Sequence, residues 1–264
     1  ADSDFEVASG DTLTIGGVIS DGGNGYGITK LGAGTLTING TNTYSGGTTV
    51  SAGTLVVGGS GSLGAGSYAA NIVNNSVFEY ASSTDQTFSG VLSGTGAFNK
   101  TTSSTSTLTL TNDNTYTGST SIAAGVVVIS NDSPSQATSG YSGSGSLRIE
   151  PTSDSFSSQL SLSGWTFGSD LGGLTIGKVT NNARVVLAQS ISISGPISVY
   201  GNEIWLNSNV DLSSAGTTSA AIKLISKGYI VLESTADLTT DGGDVILWSN
   251  TVNSTSGTAN NEVD

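Results

Sequence analysis

The chain has 264 residues, with 38 glycines, three prolines and no cysteine, histidine or methionine. Seven basic residues against twenty acidic ones give a formal net charge of -13. That balance excludes a phosphate-lined nucleic-acid groove and a polybasic attachment to anionic lipid. No apolar run approaches the roughly 18 to 20 residues of a membrane helix, so no membrane insertion of this segment is expected.

Hydrophobic residues make up 35% of the chain, and they recur as short β-branched runs bounded by Gly, Asn, Asp or Ser. In chain order these runs predict strands at Thr12-Ile15, Thr35-Ile38, Thr54-Val57, Thr107-Leu110 and Val126-Ile129. Further strands are predicted at Leu174-Ile176, Arg184-Leu187, Ile191-Ile193, Ile197-Tyr200, Glu203-Leu206, Ala221-Ile225, Tyr229-Glu233 and Asp244-Trp248. No segment keeps a helical period over a useful length. The chain reads as all-β.

A long segment occurs twice. Thr35-Leu36-Thr37-Ile38 answers to Thr107-Leu108-Thr109-Leu110, Tyr44 to Tyr116, Val50 to Ile122 and Gly53 to Gly125, each 72 positions apart. Self-similarity at a fixed period marks a stacked architecture. Steps of 19 to 24 residues between landmarks such as Leu36 and Leu55, or Trp205 and Tyr229, suit the rung of a parallel β-helix. About thirteen rungs at a strand spacing of roughly 4.8 Å would make a rod on the order of 60 Å long. Residues 1–130 are expected to form a repeat-bearing segment, 131–170 an irregular connection and 171–264 a second helical segment continuous with the first. The connection holds Pro134, Pro151 and the run Ser139 to Ser146, which interrupt the period.

The residues Leu31-Gly32-Ala33-Gly34-Thr35-Leu36-Thr37, Asn42-Thr43-Tyr44-Ser45-Gly46-Gly47-Thr48-Thr49-Val50 and Ala52-Gly53-Thr54-Leu55 resemble the autotransporter-associated β-strand repeat. The second copy departs from it, with Thr101 to Ser106 in place of the Leu-Gly-Ala-Gly turn and Gly118-Ser119 in place of Gly46-Gly47. The stretch Ile191 to Asn250, with Gly195-Pro196-Ile197 and Gly242-Gly243-Asp244-Val245-Ile246-Leu247-Trp248, is similar to giant adhesins of the filamentous-haemagglutinin type. These resemblances imply a right-handed parallel β-helix from the passenger of a bacterial surface adhesin. They imply a location on the cell surface or secreted, with an outer-membrane exporter in or beside the full-length protein. The terminus Ala1-Asp2-Ser3 would suit a mature or trimmed end, and absent cysteine suits export.

Strand alternation selects the candidate contact residues. With Ile204 and Leu206 inward, Trp205 and Glu203 face out; with Ile230 and Leu232 inward, Tyr229 and Glu233 face out. Val245 and Leu247 inward put Trp248 and Asp244 outside, and Ile197 and Val199 inward put Tyr200 outside. Lys223, between Ile222 and Leu224, also faces out, near an aromatic ring. Stacking would turn Tyr200, Trp205, Tyr229 and Trp248 into an external stripe with Glu203 and Glu233 beside it, suited to a host or matrix glycan or a protein receptor. The bland alternative has each ring covering a neighbouring loop.

Three other chemistries have partial signatures in the sequence. A polysaccharide-active lyase or hydrolase on the same fold is the alternative function, and it would need Glu203, Glu233 and Asp244 to converge. Asp21-Gly22-Gly23-Asn24-Gly25-Tyr26-Gly27 is similar to a glycine-rich calcium turn, but Tyr26 stands where a ligand is needed; Asp241-Gly242-Gly243-Asp244 is weaker still. Thr-x-Thr pairs at Thr12/Thr14, Thr35/Thr37 and Thr107/Thr109 suggest an ice-binding ladder, which the absence of any such pair between residues 170 and 250 breaks. The expectation is a non-enzymatic stalk, with no catalytic residue, cofactor or metal.

Overall fold

The computed structural model describes residues 1–102, 105–135, 140–215 and 221–249. Ser103 and Ser104 of the altered turn, Ser139 and the expected second segment beyond Ser249 lie outside the described residues. Every strand pair among the described residues is parallel. The chain is a parallel β-solenoid of about ten turns. The turns number fewer than the thirteen expected because rungs vary in length. Thr35 pairs with Thr54, but Ser146 pairs with Gly173, so one rung takes 19 residues and the other 27.

Three faces make up each turn. A nine-stranded sheet runs unbroken from Ser67–Tyr68 to Val245–Ser249. In the first half it is flanked by a five-stranded sheet, Ser3–Glu6 to Leu92–Ser93, and a seven-stranded sheet, Thr12–Ile15 to Tyr141–Ser142. In the second half a four-stranded sheet (Leu160–Ser161 to Ile230–Leu232) and a three-stranded sheet (Ile191–Ile193 to Asp237–Thr240) take those places. Residues 131–170 therefore contribute rungs such as Ser146–Glu150 to the long sheet while the two side sheets change over.

The two repeat copies lie on different faces. Strand Thr35–Ile38 belongs to the seven-stranded sheet, whereas its counterpart Thr107–Leu110 belongs to the nine-stranded one. Likewise Thr48–Val50 lies in the five-stranded sheet and Thr120–Ile122 in the seven-stranded sheet. Seventy-two residues thus span three turns and one further face.

Close packing between turns explains which repeat positions persist. A Cβ at Gly46 would sit 2.3 Å from the Tyr26 carbonyl carbon, and one at Gly118 1.9 Å from the Gly96 oxygen. At Gly47 the nearest heavy atom would be 3.4 Å away, and this is the glycine that becomes Ser119. Gly53 and Gly125 both adopt positive φ, +66° and +73°, a region that other residues seldom enter. Ser106 stands where Gly34 does in the first copy; it is buried and its hydroxyl donates to the Ser82 carbonyl at 3.0 Å.

Inward side chains stack in rows along the axis. Leu36, Leu55, Phe78 and Phe98 form one such row, all fully buried, with the Phe78 and Phe98 rings stacked at 5.7 Å. Each fully buried side chain of this kind contributes roughly 1.5–3 kcal/mol. Polar groups also enter the core of the first half. Tyr44 hydrogen-bonds Thr48 at 2.8 Å, and the equivalent Tyr116 bonds Thr120 at 2.7 Å. Lys30 is fully buried, its Nζ donating to the carbonyls of Leu31 (2.7 Å), Gly32 (2.7 Å) and Ala52 (3.2 Å). Lys100, in the matching strand of the second copy, is also fully buried and donates to the Thr102 carbonyl at 2.5 Å. Burial lowers the pKa of both ammonium groups, opposed at Lys100 by the charge of Asp85.

Candidate functional site

The outward rings of residues 200–248 fall on two faces. Tyr200 lies in strand Ile197–Gly201 of the nine-stranded sheet, and the register Tyr200–Ile225–Trp248 places Trp248 two rungs away in the same outer row. Trp205 lies in strand Glu203–Leu206 of the four-stranded sheet, in the row Val186–Trp205–Val231. Tyr229 precedes strand Ile230–Leu232 and continues the neighbouring row, Arg184–Glu203. Asn202 alone separates the two strands, so the faces meet at a sharp corner. The expected single stripe is thus two short rows on either side of one edge.

Their inward neighbours follow the alternation. Ile197, Val199, Ile204, Leu206, Ile222 and Leu224 are all fully buried. Leu232 and Leu247 occupy the same inward rows but are 42% and 46% exposed, because they stand in the last described turn.

The rings differ in how open they are. The Arg184 guanidinium stacks on Trp205, 4.6 Å from the ring centroid, so that indole face is already covered. The same guanidinium binds the Glu203 carboxylate, Nε at 2.6 Å and Nη2 at 2.5 Å. Partial burial pushes the Glu203 pKa up, but hydrogen bonding from Tyr229 and Arg184 together with the guanidinium charge outweighs it and holds the group below the usual range. Hydrogen bonding to that carboxylate in turn raises the Tyr229 phenol. Lys223 Nζ lies 5.8 Å from the Tyr200 centroid. Tyr229 and Trp248 remain the open rings, 41% and 54% exposed.

The three acids of the enzymatic alternative have separate occupations. Glu203 sits at one end of the pair Glu203–Leu206 and Ile230–Leu232, and Glu233 follows the other end. There Glu233 accepts from the backbone N–H and hydroxyl of Ser208, at 3.0 and 3.2 Å, stitching one turn to the next. Asp244 opens strand Val245–Ser249 on the long sheet. Among the described residues, no three His, Cys, Asp or Glu side chains gather closely enough to hold a metal ion.

Asp21 accepts from the N–H groups of Gly23 (2.9 Å), Gly25 (2.8 Å), Tyr26 (3.1 Å) and Ser45 (3.2 Å), and from the Ser45 hydroxyl (2.7 Å). The Ser45 hydroxyl, followed by those backbone donors, holds its pKa far below the usual carboxylate value. The loop is a turn closed around its own aspartate. Threonine rows are short as well: Thr14–Thr37 passes to Val56 and Glu79.

One feature had no sequence signal. A cleft of about 260 Å³ lies where the side sheets change over, lined by Asp132, Pro134, Phe156, Gln159 and neighbouring serines. Its Asp132 carboxylate is spent on the N–H and hydroxyl of Ser153, at 2.9 and 3.0 Å. Among the described residues, no helix is long and apolar enough to cross a membrane.

Comparison with known families finds the passenger-associated-transport-repeat at residues 28–57 and again at 101–129. Both matched segments coincide with the duplicated strands. No curated protein and no solved structure matches the chain.

Proposed function

We propose that this β-solenoid with two passenger repeats is a length of a bacterial surface adhesin: a non-enzymatic stalk, displayed on the cell surface or secreted, that contacts a glycan or protein receptor. The observation that carries this reading is that both copies of the passenger repeat fall on stacked strands of one rod, three turns and one face apart. A stalk needs length, a closed core and a soluble exterior, and all three follow from stacked rungs whose outer rows are mostly Thr, Ser and Asn. Export through an outer-membrane barrel or a partner transporter belongs to the same reading.

The receptor contact is assigned to Tyr200, Trp205, Tyr229 and Trp248 with Glu203 and Glu233. Within this set the open rings Tyr229 and Trp248 make the main contact, one on each face, with Tyr200 beside Trp248. Arg184 and Glu203 hold Trp205 in place, and Glu233 secures the adjoining turn. Exposed aromatic side chains on a rigid sheet stack on sugar rings or anchor a protein partner at low entropic cost.

The purified chain should bind mammalian cells or an immobilised glycan panel, and the double change Tyr229→Ala, Trp248→Ala should remove most of that binding while the circular dichroism spectrum stays unchanged. Undiminished binding by the double variant would overturn the ring assignment. Release of new reducing ends or unsaturated products from neutral or uronic-acid polysaccharides would overturn the non-enzymatic reading.

A further inference from the structure

The chain has seven basic side chains, and six of them are committed to oxygen atoms. Lys30 and Lys100 are buried on backbone carbonyls. Arg148 pairs with Glu150, and Arg184 with Glu203. Lys178 donates to the Ser153 carbonyl at 3.4 Å, and Lys227 to Thr180 O and Asn182 Oδ1 at 2.6 and 2.7 Å. Lys223 is the exception. Among the described residues its ammonium has no oxygen partner, only the Tyr200 ring at 5.8 Å.

Its surroundings are specific. Lys223 pairs in register with Ser198 on one side and Ile246 on the other. Tyr200 and Trp248 each lie one diagonal step away, on the rungs before and after. Two strand spacings of about 4.8 Å put those rungs roughly 10 Å apart. Ile225 fills the row between the two rings. The surface is therefore a shallow row of outward apolar side chains, Ile225, Ile246 and Trp248, with Lys223, which has no oxygen partner among the described residues, set into its middle. A ring 5.8 Å from the charge, near the limit of a useful cation–π contact, leaves the ammonium donors available. Asp244 lies on the adjoining rung, two residues before Ile246, and among the described residues it forms no ion pair with Lys223.

We propose that the outer face of strands Ile197–Gly201, Ile222–Ser226 and Val245–Ser249 binds a glycan terminus bearing a single carboxylate. Trp248 and Tyr200 take the sugar faces, and Lys223 takes the carboxylate. The proposal rests on the receptor-contact reading above and names the ligand class for one of its two rows. Aromatic faces with one ammonium donor match a carboxylated sugar, which presents an apolar ring face beside a charged acceptor. The net charge of -13 restricts the class further. A polyanion would bring many charges against that field for the gain of one pairing, whereas a terminal sugar brings one. Physiological salt screens the distant acids beyond about 8 Å and leaves the Lys223 contact largely intact.

The test is isothermal titration of the full chain with lactose, with lactose capped by a terminal sialic acid, with sulfated lactose and with a short glutamate peptide. The sialylated probe should bind at least about tenfold more tightly than lactose. Lys223→Gln should bring its affinity down to that of lactose, Asp244→Asn should tighten it, and Trp248→Ala should abolish binding of both sugars. Equal affinity for the sialylated probe and lactose, or an unaltered preference in Lys223→Gln, would overturn the carboxylate assignment alone. Sulfated lactose or the glutamate peptide binding as tightly as the sialylated probe would overturn it too, in favour of a less selective anion site. If the wild-type chain binds none of the sugars, the glycan side of the receptor-contact reading falls and this proposal falls with it.

Discussion

The two halves of the rod put the same side chains to opposite uses. In the first half seven aromatic residues point inward: Tyr44, Tyr68, Phe78, Tyr80, Phe88, Phe98 and Tyr116 are all fully buried and pack against one another, while Tyr26 stands exposed in its turn. Buried rings continue through Tyr141, Phe156 and Trp165, but from residue 171 onward the described core is aliphatic, with Leu174, Val185, Ile197, Ile204 and Leu224, and the rings stand outside. Cations follow the same inversion, with Lys30 and Lys100 sealed in and Lys223 facing out. A rung can spend a ring on packing or on recognition, and each half has chosen once.

High pH should break this contrast most severely. Burial raises the phenols of Tyr68 and Tyr116 to about 12, and those of Tyr44 and Tyr141 well above the ordinary value. The folded chain keeps these protons where the unfolded chain releases them near pH 10. The stabilisation is complete below pH 10 and disappears as pH rises toward 12. A shift of that size corresponds to about 3 kcal/mol for each of the two tyrosines. Urea midpoints followed from pH 9 to 12 should fall steeply together with phenolate absorbance, and a flat profile would contradict the buried rings.

Truncating a ring distinguishes the halves next. Phe78→Ala should cost about 3–5 kcal/mol, whereas Trp248→Ala should stay within about 0.5 kcal/mol. Comparable losses in chemical denaturation would mean that the second-half rings are structural after all. Lys30→Met leaves three turn carbonyls without their donor and should cost about 1–3 kcal/mol, against almost nothing for Lys223→Gln. At the turns, Gly46→Ala forces a Cβ against the Tyr26 backbone and should cost about 1–3 kcal/mol; Gly47→Ser reproduces the second copy and should be close to neutral. Arg184→Ala should cost no more than about 1 kcal/mol, as expected for a partly exposed pair. Its signature is instead a red-shifted tryptophan emission as Trp205 loses its cover.

Much of this was readable from residues alone. Alternating runs such as Glu203 to Leu206 located eight strands after residue 170 within a residue, because aliphatic rows with polar neighbours have one consistent inward face. Asp211–Ser214 and Asp237–Thr240, each with a single aliphatic side chain, escaped the pattern. The first half was harder, since strands such as Gln86–Phe88 and Ala97–Lys100 put polar or charged side chains inside. Lys30 illustrates the difficulty: alternation pairs it inward with Ile28, yet a lysine's charge ordinarily argues for the surface. Its recurrence at Lys100 was the available signal. The division of the rings between two faces depended on the corner at Asn202, one residue that breaks the alternation. The number of turns depended on loop lengths that carry no hydrophobic pattern.

The offset of the repeat by one face has a mechanical consequence. Because 72 residues close three turns and a third, each unit inserted into or removed from such a rod re-aims everything beyond it by a third of a revolution. A chain that gained or lost a whole 72-residue unit would keep its core register while it swung its distal contact rows to a new azimuth. The copy number of the repeat is then a dial that sets the direction in which the outward rings point.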